Sequence, residues 1–355
     1  MKGVVLCGGQ GTGLRPITYT LPKELIPISN KPILFYILDS LLEADISEVG
    51  IVINNDDEET FKSFLRQYES LKLTYELIHQ SQPLGSADAV AITEDFVKDD
   101  DFVVIFGDNF HEVKLAELID DFYSSNSNCK VLLKEVDEPE NYIIAEVEEE
   151  QVLSLEGKPK KPKSGLAVTG IYIFDKNIYK ACKEIGLSYT GEYEVIDSIN
   201  WLIVNGYRVT YNISEFLWID MKTSKDILCA NQYILSKMKG IVKGLVNEKS
   251  TVTGNVSLAE GSKIYNSIIR GPVIIGNNTI IENSYVGPYT SIMNNVKIID
   301  SQIENSIVLD KCTISRVMNI IDSSIIGENT SIISYNSCKR SNSFILGNGS
   351  SLIIY

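Results

Sequence analysis

Residues 268–298 read IIRGPVIIGNNTIIENSYVGPYTSIMNNVKI, and Ile268, Ile274, Ile280, Val286, Ile292 and Ile298 fall six apart without a break. The register shifts and then resumes at Val308, Ile314, Ile320, Ile326 and Ile332. An earlier set, Val252, Leu258 and Ile264, keeps the same step. A period of six fits neither an α-helix nor simple strand alternation. It fits a triangular solenoid in which each side of a coil takes one hexad and turns one aliphatic residue inward. On this reading Ile274, Ile280 and Val286 share one interior. Gly276, Gly287, Gly327 and the many asparagines suit the corners, where left-handed backbone angles are needed. A chance Ile-rich β-sandwich is the competing explanation, and two uninterrupted registers weigh against it.

Upstream the texture differs. Residues 1 to about 230 alternate short apolar runs with helical patterns. Gly3 to Cys7, Val49 to Ile53 and Phe102 to Phe106 read as strands; Ile33 to Leu42 and Glu58 to Tyr68 read as helices. That rhythm predicts an α/β domain with a mixed, mostly parallel sheet. Ligands in such sheets bind beyond the carboxyl ends of the strands. The Gly-rich run 8–13 and the turn Gly107-Asp108-Asn109 both fall there. Residues 224–247, with Ile227, Ala230, Ile234, Leu235 and Met238, predict a helix joining the two regions. The expected domains are 1–235, a linker 236–249, and a solenoid 250–355.

The chain of 355 residues is long enough for two cores. Its net charge of −15, from 47 acidic and 32 basic residues, opposes general nucleic-acid binding. An anionic substrate must then be held by a few local cations. Six cysteines (Cys7, Cys129, Cys182, Cys229, Cys312 and Cys338) form no C-x-x-C pair and have no zinc-ligand spacing. They read as thiols of a reducing compartment. With no signal-like or membrane-length apolar run, the expectation is a cytoplasmic protein without a membrane partner.

The first loop reads Cys7-Gly8-Gly9-Gln10-Gly11-Thr12-Gly13-Leu14-Arg15-Pro16. Glycines there let backbone N–H groups approach phosphate oxygens closely. A tight turn alone explains the loop equally well. Its context is more specific: Pro22-Lys23-Glu24-Leu25-Ile26-Pro27, Asn30-Lys31-Pro32, Gln80, Pro83-Leu84-Gly85, Gly107-Asp108-Asn109, Gly191-Glu192-Tyr193-Glu194 and Trp218-Ile219-Asp220 follow in order. Together these resemble the sugar-1-phosphate nucleotidylyltransferases. The likeness is greatest to long-form glucose-1-phosphate thymidylyltransferases, which carry a C-terminal left-handed β-helix of hexapeptide repeats.

The resemblance implies a Rossmann-like nucleotidylyltransferase domain followed by that β-helix. It implies transfer of a nucleotidyl group from dTTP or UTP to a sugar 1-phosphate, with release of pyrophosphate. Gly8, Gly9, Gly11, Thr12 and Arg15 would lie along the nucleotide, and Lys23 would bind phosphate. Gln80 and Gly85 would read a pyrimidine base edge. Asp108 and Asp220 would hold Mg²⁺, and Lys158 and Glu192 would meet the sugar phosphate. The chemistry suits these residue types. The attacking phosphate oxygen is already anionic, so alignment and charge neutralisation suffice.

Several positions depart from the family pattern. Gly13 stands where the loop has an arginine. Ile143 replaces a sugar-contacting glycine, Gly157 a glutamate, Gly165 an asparagine and Lys222 a glycine. Removal of the loop cation predicts weakened turnover, and Gly13→Arg is expected to raise kcat about a hundredfold. The departures also allow a second reading, a catalytically inactive paralogue that binds nucleotide or nucleotide sugar and regulates an active partner. The enzyme leads because fold and most motifs persist. A third reading, acyl transfer on the β-helix, calls for a histidine base there, but only His79 and His111 exist and both precede it. Assembly into a homo-oligomer is the expected role of the solenoid.

Overall fold

The computed structural model describes residues 1–67 and 73–334. Cys338 and the end of the expected solenoid lie outside the described residues. The chain divides into two compact units. The first comprises Met1–Gln10, Pro22–Leu25 and Ile33–Asp220; the second comprises Gly11–Leu21, Ile26–Pro32 and the chain from Met221 onward.

The first unit is built on nine strands: β1 (Lys2–Leu6), β2 (Glu48–Asn54), β3 (Thr74–Gln80), β4 (Phe102–Phe106), β5 (Cys129–Glu135), β6 (Ile143–Glu148), β7 (Gln151–Gly157), β8 (Leu166–Phe174) and β9 (Val209–Ile213). Their order across the sheet is β3-β2-β1-β4-β8-β5-β9-β7-β6. β1 runs parallel to β2 and β4, and β2 runs parallel to β3. β8 is antiparallel to β4 and β5. The sheet is therefore mixed, with its parallel half at the N-terminal end. Val4, Val52, Val104 and Tyr172 are buried in one continuous core, as expected for strands covered on both faces. The register ties Leu6 to Phe106 and Asn54 to Gln80. The C-terminal ends of β1 to β4 thus lie along one edge.

The second unit holds three parallel sheets of six, five and five strands. This is a left-handed parallel β-helix. Its repeat is 17 residues from Ile264 through Ile298, as Ile264, Ile281 and Ile298 stack in register. Two sides of a coil therefore take six residues and one takes five, and a strict step of six drifts out of phase. Val286, Ile292 and Ile298 are fully buried, as expected. Ile274 and Ile280 are not inside; their neighbours Ile275 and Ile281 are fully buried instead. Ile268 and Ile320 stand on the outer surface at 52% and 49% exposure. In such short strands either residue of an Ile-Ile pair continues the pattern, so spacing alone did not choose between them. Ile281→Ala is expected to cost about 2–5 kcal/mol and Ile280→Ala well under half of that. Thermal denaturation of the two variants checks the phase.

The corners belong to side chains more than to glycine. Asn266, Asn278, Asn283, Asn295, Asn305 and Asn329 adopt positive φ, whereas Gly276, Gly287 and Gly327 do not. Gly276 serves a different need: an added Cβ there would lie 2.6 Å from the Met293 backbone of the next coil. The corner asparagines also link coils, with Asn266 donating to Asn283 and Asn283 to Asp300. The predicted joining helix is shorter than expected, Ser224–Lys237, capped at its start by a reciprocal Thr223–Asp226 pair. Met238 turns extended and Leu245–Val246 already pairs as a solenoid strand. Asn231, fully buried in that helix, accepts from Ser29 N and Ser291 Oγ and donates to the Tyr289 carbonyl. The motif Asn30-Lys31-Pro32 therefore has a packing role in this unit, with Asn30 also donating to the Ile292 carbonyl. No helix among the described residues is long and apolar enough to cross a membrane.

Candidate functional site

In the first unit the expected residues gather at the C-terminal edge of the parallel strands. β1 ends at Leu6, and Cys7 N donates to the Val52 carbonyl at 2.7 Å, which starts the loop above the sheet. Gly8 is backed by Gln80: an added Cβ would sit 2.6 Å from Gln80 Oε1. Gly9 is backed by Lys23, whose Nζ would lie 2.9 Å from such a Cβ. Neither position has space for a side chain without displacing a neighbour.

Lys23 lies in a 3-10 turn and its ammonium pairs with the Asp108 carboxylate, just past the end of β4. Both side chains are mostly buried, at 18% and 16% exposure. Asp220 comes in on a short ribbon. Trp218–Asp220 runs antiparallel to Asn109–His111, and Asp220 is paired with Asn109, the residue after Asp108. Burial alone would lower the Lys23 pKa. The carboxylates of Asp108, Glu24 and Asp220 outweigh it and hold the ammonium above the usual lysine range. Among the described residues no group of three or more His, Cys, Asp or Glu side chains forms a metal cage. Asp108 and Asp220 are both near enough to Lys23 to act on its charge.

The residues expected to read the base form a second cluster in the same unit. Gln80, at the end of β3, is 5% exposed. Its amide nitrogen donates to the Gly85 carbonyl at 3.1 Å and to the Asp88 carboxylate at 2.8 Å. Gly85 has φ +115°, and any side chain there would strike the Tyr193 carbonyl. The loop around it is stitched to the Gly191–Glu194 segment. Tyr193 N donates to the Leu84 carbonyl, Ala87 N to the Tyr193 carbonyl and Val195 N to Ser86 Oγ. Glu192 is therefore held beside Gly85. Lys158 follows β7 at φ +45°, and its N–H donates to the Tyr142 carbonyl at 2.9 Å. Neither Lys158 nor Glu192 bonds to the Lys23–Asp108 pair among the described residues.

The remaining loop residues, Gly11, Thr12 and Arg15, belong to the second unit. Gly11 is left-handed and begins a 3-10 turn at Thr12–Leu14. Arg15 is exposed and lies over the Tyr19 ring, 5.1 Å from its centroid. In the same unit Gly13 is pressed against the backbone carbonyl of Lys222, and an added Cβ would overlap that oxygen. This corrects the expectation that arginine can simply be restored at position 13. The obstacle is a backbone atom, so trimming the Lys222 side chain does not remove it. The sugar-side departures differ. Ile143 and Gly157 are directly paired across the β6–β7 hairpin. A Cβ on Gly157 would meet only ordinary contacts, Tyr189 Oη at 3.7 Å and Ile196 Cδ1 at 3.8 Å.

Glu24 was missed as a site residue although it lies inside the quoted Lys23 motif. It is fully buried, and neither carboxylate oxygen has a hydrogen-bond partner among the described residues. Burial, opposed by Lys23 and reinforced by Asp108, pushes its pKa up to about 8. The same burial, with Glu24 beside it, pushes the Cys7 thiol well up. At neutral pH Glu24 is thus mainly a neutral acid. Its folded value exceeds the unfolded one, so the native state loses stability as pH rises from about 4 to about 8. Glu24→Gln is expected to abolish this contribution. Its melting temperature should gain on the wild type progressively across that window and run parallel above it.

Comparison with known proteins agrees with this layout. A family profile described as Nucleotidyl transferase matches residues 2–237. A glucose-1-phosphate thymidylyltransferase of Streptomyces griseus is 39% identical over 99% of this chain and 98% of its own length. The low-salt glycan biosynthesis nucleotidyltransferase Agl11 of Haloferax volcanii is 36% identical over 94% of each chain. Among solved structures, a Bacillus anthracis protein assigned as a glucose-1-phosphate thymidylyltransferase and crystallised with sucrose aligns with a TM-score of 0.62. It is 33% identical and covers 68% of this chain and 98% of its own. With its parallel strand ends, its Lys23–Asp108 pair and these relatives, the chain belongs to the sugar-1-phosphate nucleotidyltransferase family.

Proposed function

We propose that this protein transfers a thymidylyl or uridylyl group from dTTP or UTP to a sugar 1-phosphate, with glucose 1-phosphate the first candidate. The observation that carries the reading is the Lys23 ammonium held among Asp108, Glu24 and Asp220 at the ends of parallel strands. A phosphate oxygen of the sugar 1-phosphate attacks the α-phosphorus of the triphosphate. A new P–O bond forms, the α–β bridge breaks, and pyrophosphate leaves with the electron pair. The nucleophile is an anion, so no protein base is required.

Lys23 is the phosphate-binding cation in this scheme. Its ammonium, already held at the strand ends by Asp108, meets the triphosphate there. Asp108 and Asp220 would hold Mg²⁺, which when bound neutralises charge on the phosphates. Gly8 and Gly9 leave the backbone N–H groups of the loop bare toward phosphate, and Gly11, Thr12 and Arg15 continue the loop. Gln80 and Gly85 read the base, while Lys158 and Glu192 meet the sugar phosphate. The cysteines described, all free thiols, support a reducing, cytoplasmic setting. The solenoid's exposed Ile268, Met318 and Ile320 support self-association as a homo-oligomer.

A second reading keeps the binding site and drops the turnover, making the chain a regulatory partner of an active paralogue. The contact of Gly13 with the Lys222 carbonyl favours it, because no cation occupies that loop position. Pyrophosphate release with dTTP or UTP, Mg²⁺ and a panel of sugar 1-phosphates separates the two. Release with one sugar supports the enzyme. Silence with the whole panel, alongside nucleotide binding by calorimetry, favours the regulator.

A further inference from the structure

We infer that Asp88 is a positioning residue that sets base preference, by locking the Gln80 amide so that its oxygen alone faces the nucleotide base. The inference rests on the proposal that Gln80 reads the base, and it adds a residue that the family pattern did not supply.

A glutamine side chain is ambiguous as a reader, since its two ends are similar in shape and opposite in hydrogen-bonding character. Here the ambiguity is removed. The amide nitrogen of Gln80 donates to two groups that only accept, the Gly85 carbonyl and the Asp88 carboxylate. A flipped amide would set its oxygen against both, leaving buried acceptors facing one another. Asp88 stands in the first turn of the short helix Ser86–Ala91, which follows Gly85 directly. Gly85 is itself fixed by its φ and by Tyr193.

With its nitrogen committed, Gln80 turns Oε1 toward Gly8, the first glycine of the loop, where no side chain covers it. No hydrogen bond reaches that oxygen among the described residues. Nearby Asn54 is oriented in the same sense, its amide nitrogen donating to Asp57. An acceptor without a partner fits the imide N3–H of thymine or uracil. Cytosine presents a lone pair at N3, which meets the Gln80 oxygen as acceptor against acceptor. A carboxylate at position 88 cannot donate, so it holds this orientation more firmly than an amide would.

The test is calorimetric binding of dTTP and dCTP with Mg²⁺ to wild type and Asp88→Asn, which requires no turnover. An asparagine offers either an oxygen or an N–H to Gln80, so an inverted glutamine meets one opposing acceptor, the Gly85 carbonyl, instead of two. The wild type is expected to favour dTTP over dCTP by at least tenfold. Asp88→Asn should cut that ratio about tenfold, chiefly by gaining dCTP affinity. A purely structural role for Asp88 would lower both affinities together and leave the ratio unchanged, which overturns the inference while leaving the nucleotide site intact. Absence of binding by any pyrimidine nucleotide to the wild type overturns the functional reading and this inference with it.

Discussion

Lys23→Ala lowers kcat for nucleotidyl transfer by about a hundredfold to a thousandfold, the scale on which one preorganised charge-stabilising group acts. The side chain is mostly buried and already oriented by Asp108, so little reorganisation remains when triphosphate arrives. Asp108 and Asp220 hold its positive charge at neutral pH, and Glu24 adds to them once it ionises. KM for the nucleotide should change less than kcat, because the interaction strengthens as charge builds on the phosphates. Loss of a structural pair alone would instead lower the melting temperature with a parallel loss of dTTP affinity. Steady-state kinetics on a variant whose circular dichroism matches the wild type distinguishes these outcomes.

Gly13→Arg is expected to fail as a repair. Judged from the motif alone, a loop arginine should raise turnover about a hundredfold. In the folded chain a Cβ at position 13 overlaps the Lys222 carbonyl, and the backbone must shift to admit it. Overpacking of this kind costs about 1–3 kcal/mol, so the variant should melt earlier and gain no activity. Gly157→Glu, which has room, should melt like the wild type. Thermal scans and kcat for the two variants check this; a large gain in kcat with Gly13→Arg would show that the loop yields easily.

Much of the architecture was legible because it depends on periodicity and composition. The strand Phe102–Phe106 and the stretch 49–53 within Glu48–Asn54 are apolar runs of the kind that a doubly covered sheet buries. The solenoid announced itself through spacing, but its phase did not. Ile274 and Ile275 are chemically identical, and only the 17-residue coil decides which one is inside. The end of the joining helix was hidden for a related reason: Met238 carries a helical pattern, yet pairing of the next segment with the solenoid outweighs local propensity.

The site divides in the same way. Asp108 and Asp220 are 112 positions apart in the chain, and only the ribbon register shows that Asp220 stands opposite Asn109, the residue after Asp108. Gly13 and Lys222 read as two separate departures, whereas the fold makes them one contact. Glu24 and Asp88 were passed over because a carboxylate's burial and its hydrogen-bond partners depend on segments distant in sequence.

The most direct test of the central claim is the reverse reaction. Wild-type protein with dTDP-glucose, Mg²⁺ and radiolabelled pyrophosphate should produce labelled dTTP, and Lys23→Ala should produce about a hundredfold less. Failure of the wild type to form any labelled nucleoside triphosphate from dTDP-glucose or UDP-glucose, under conditions where both bind, would contradict the account and assign the chain to regulation.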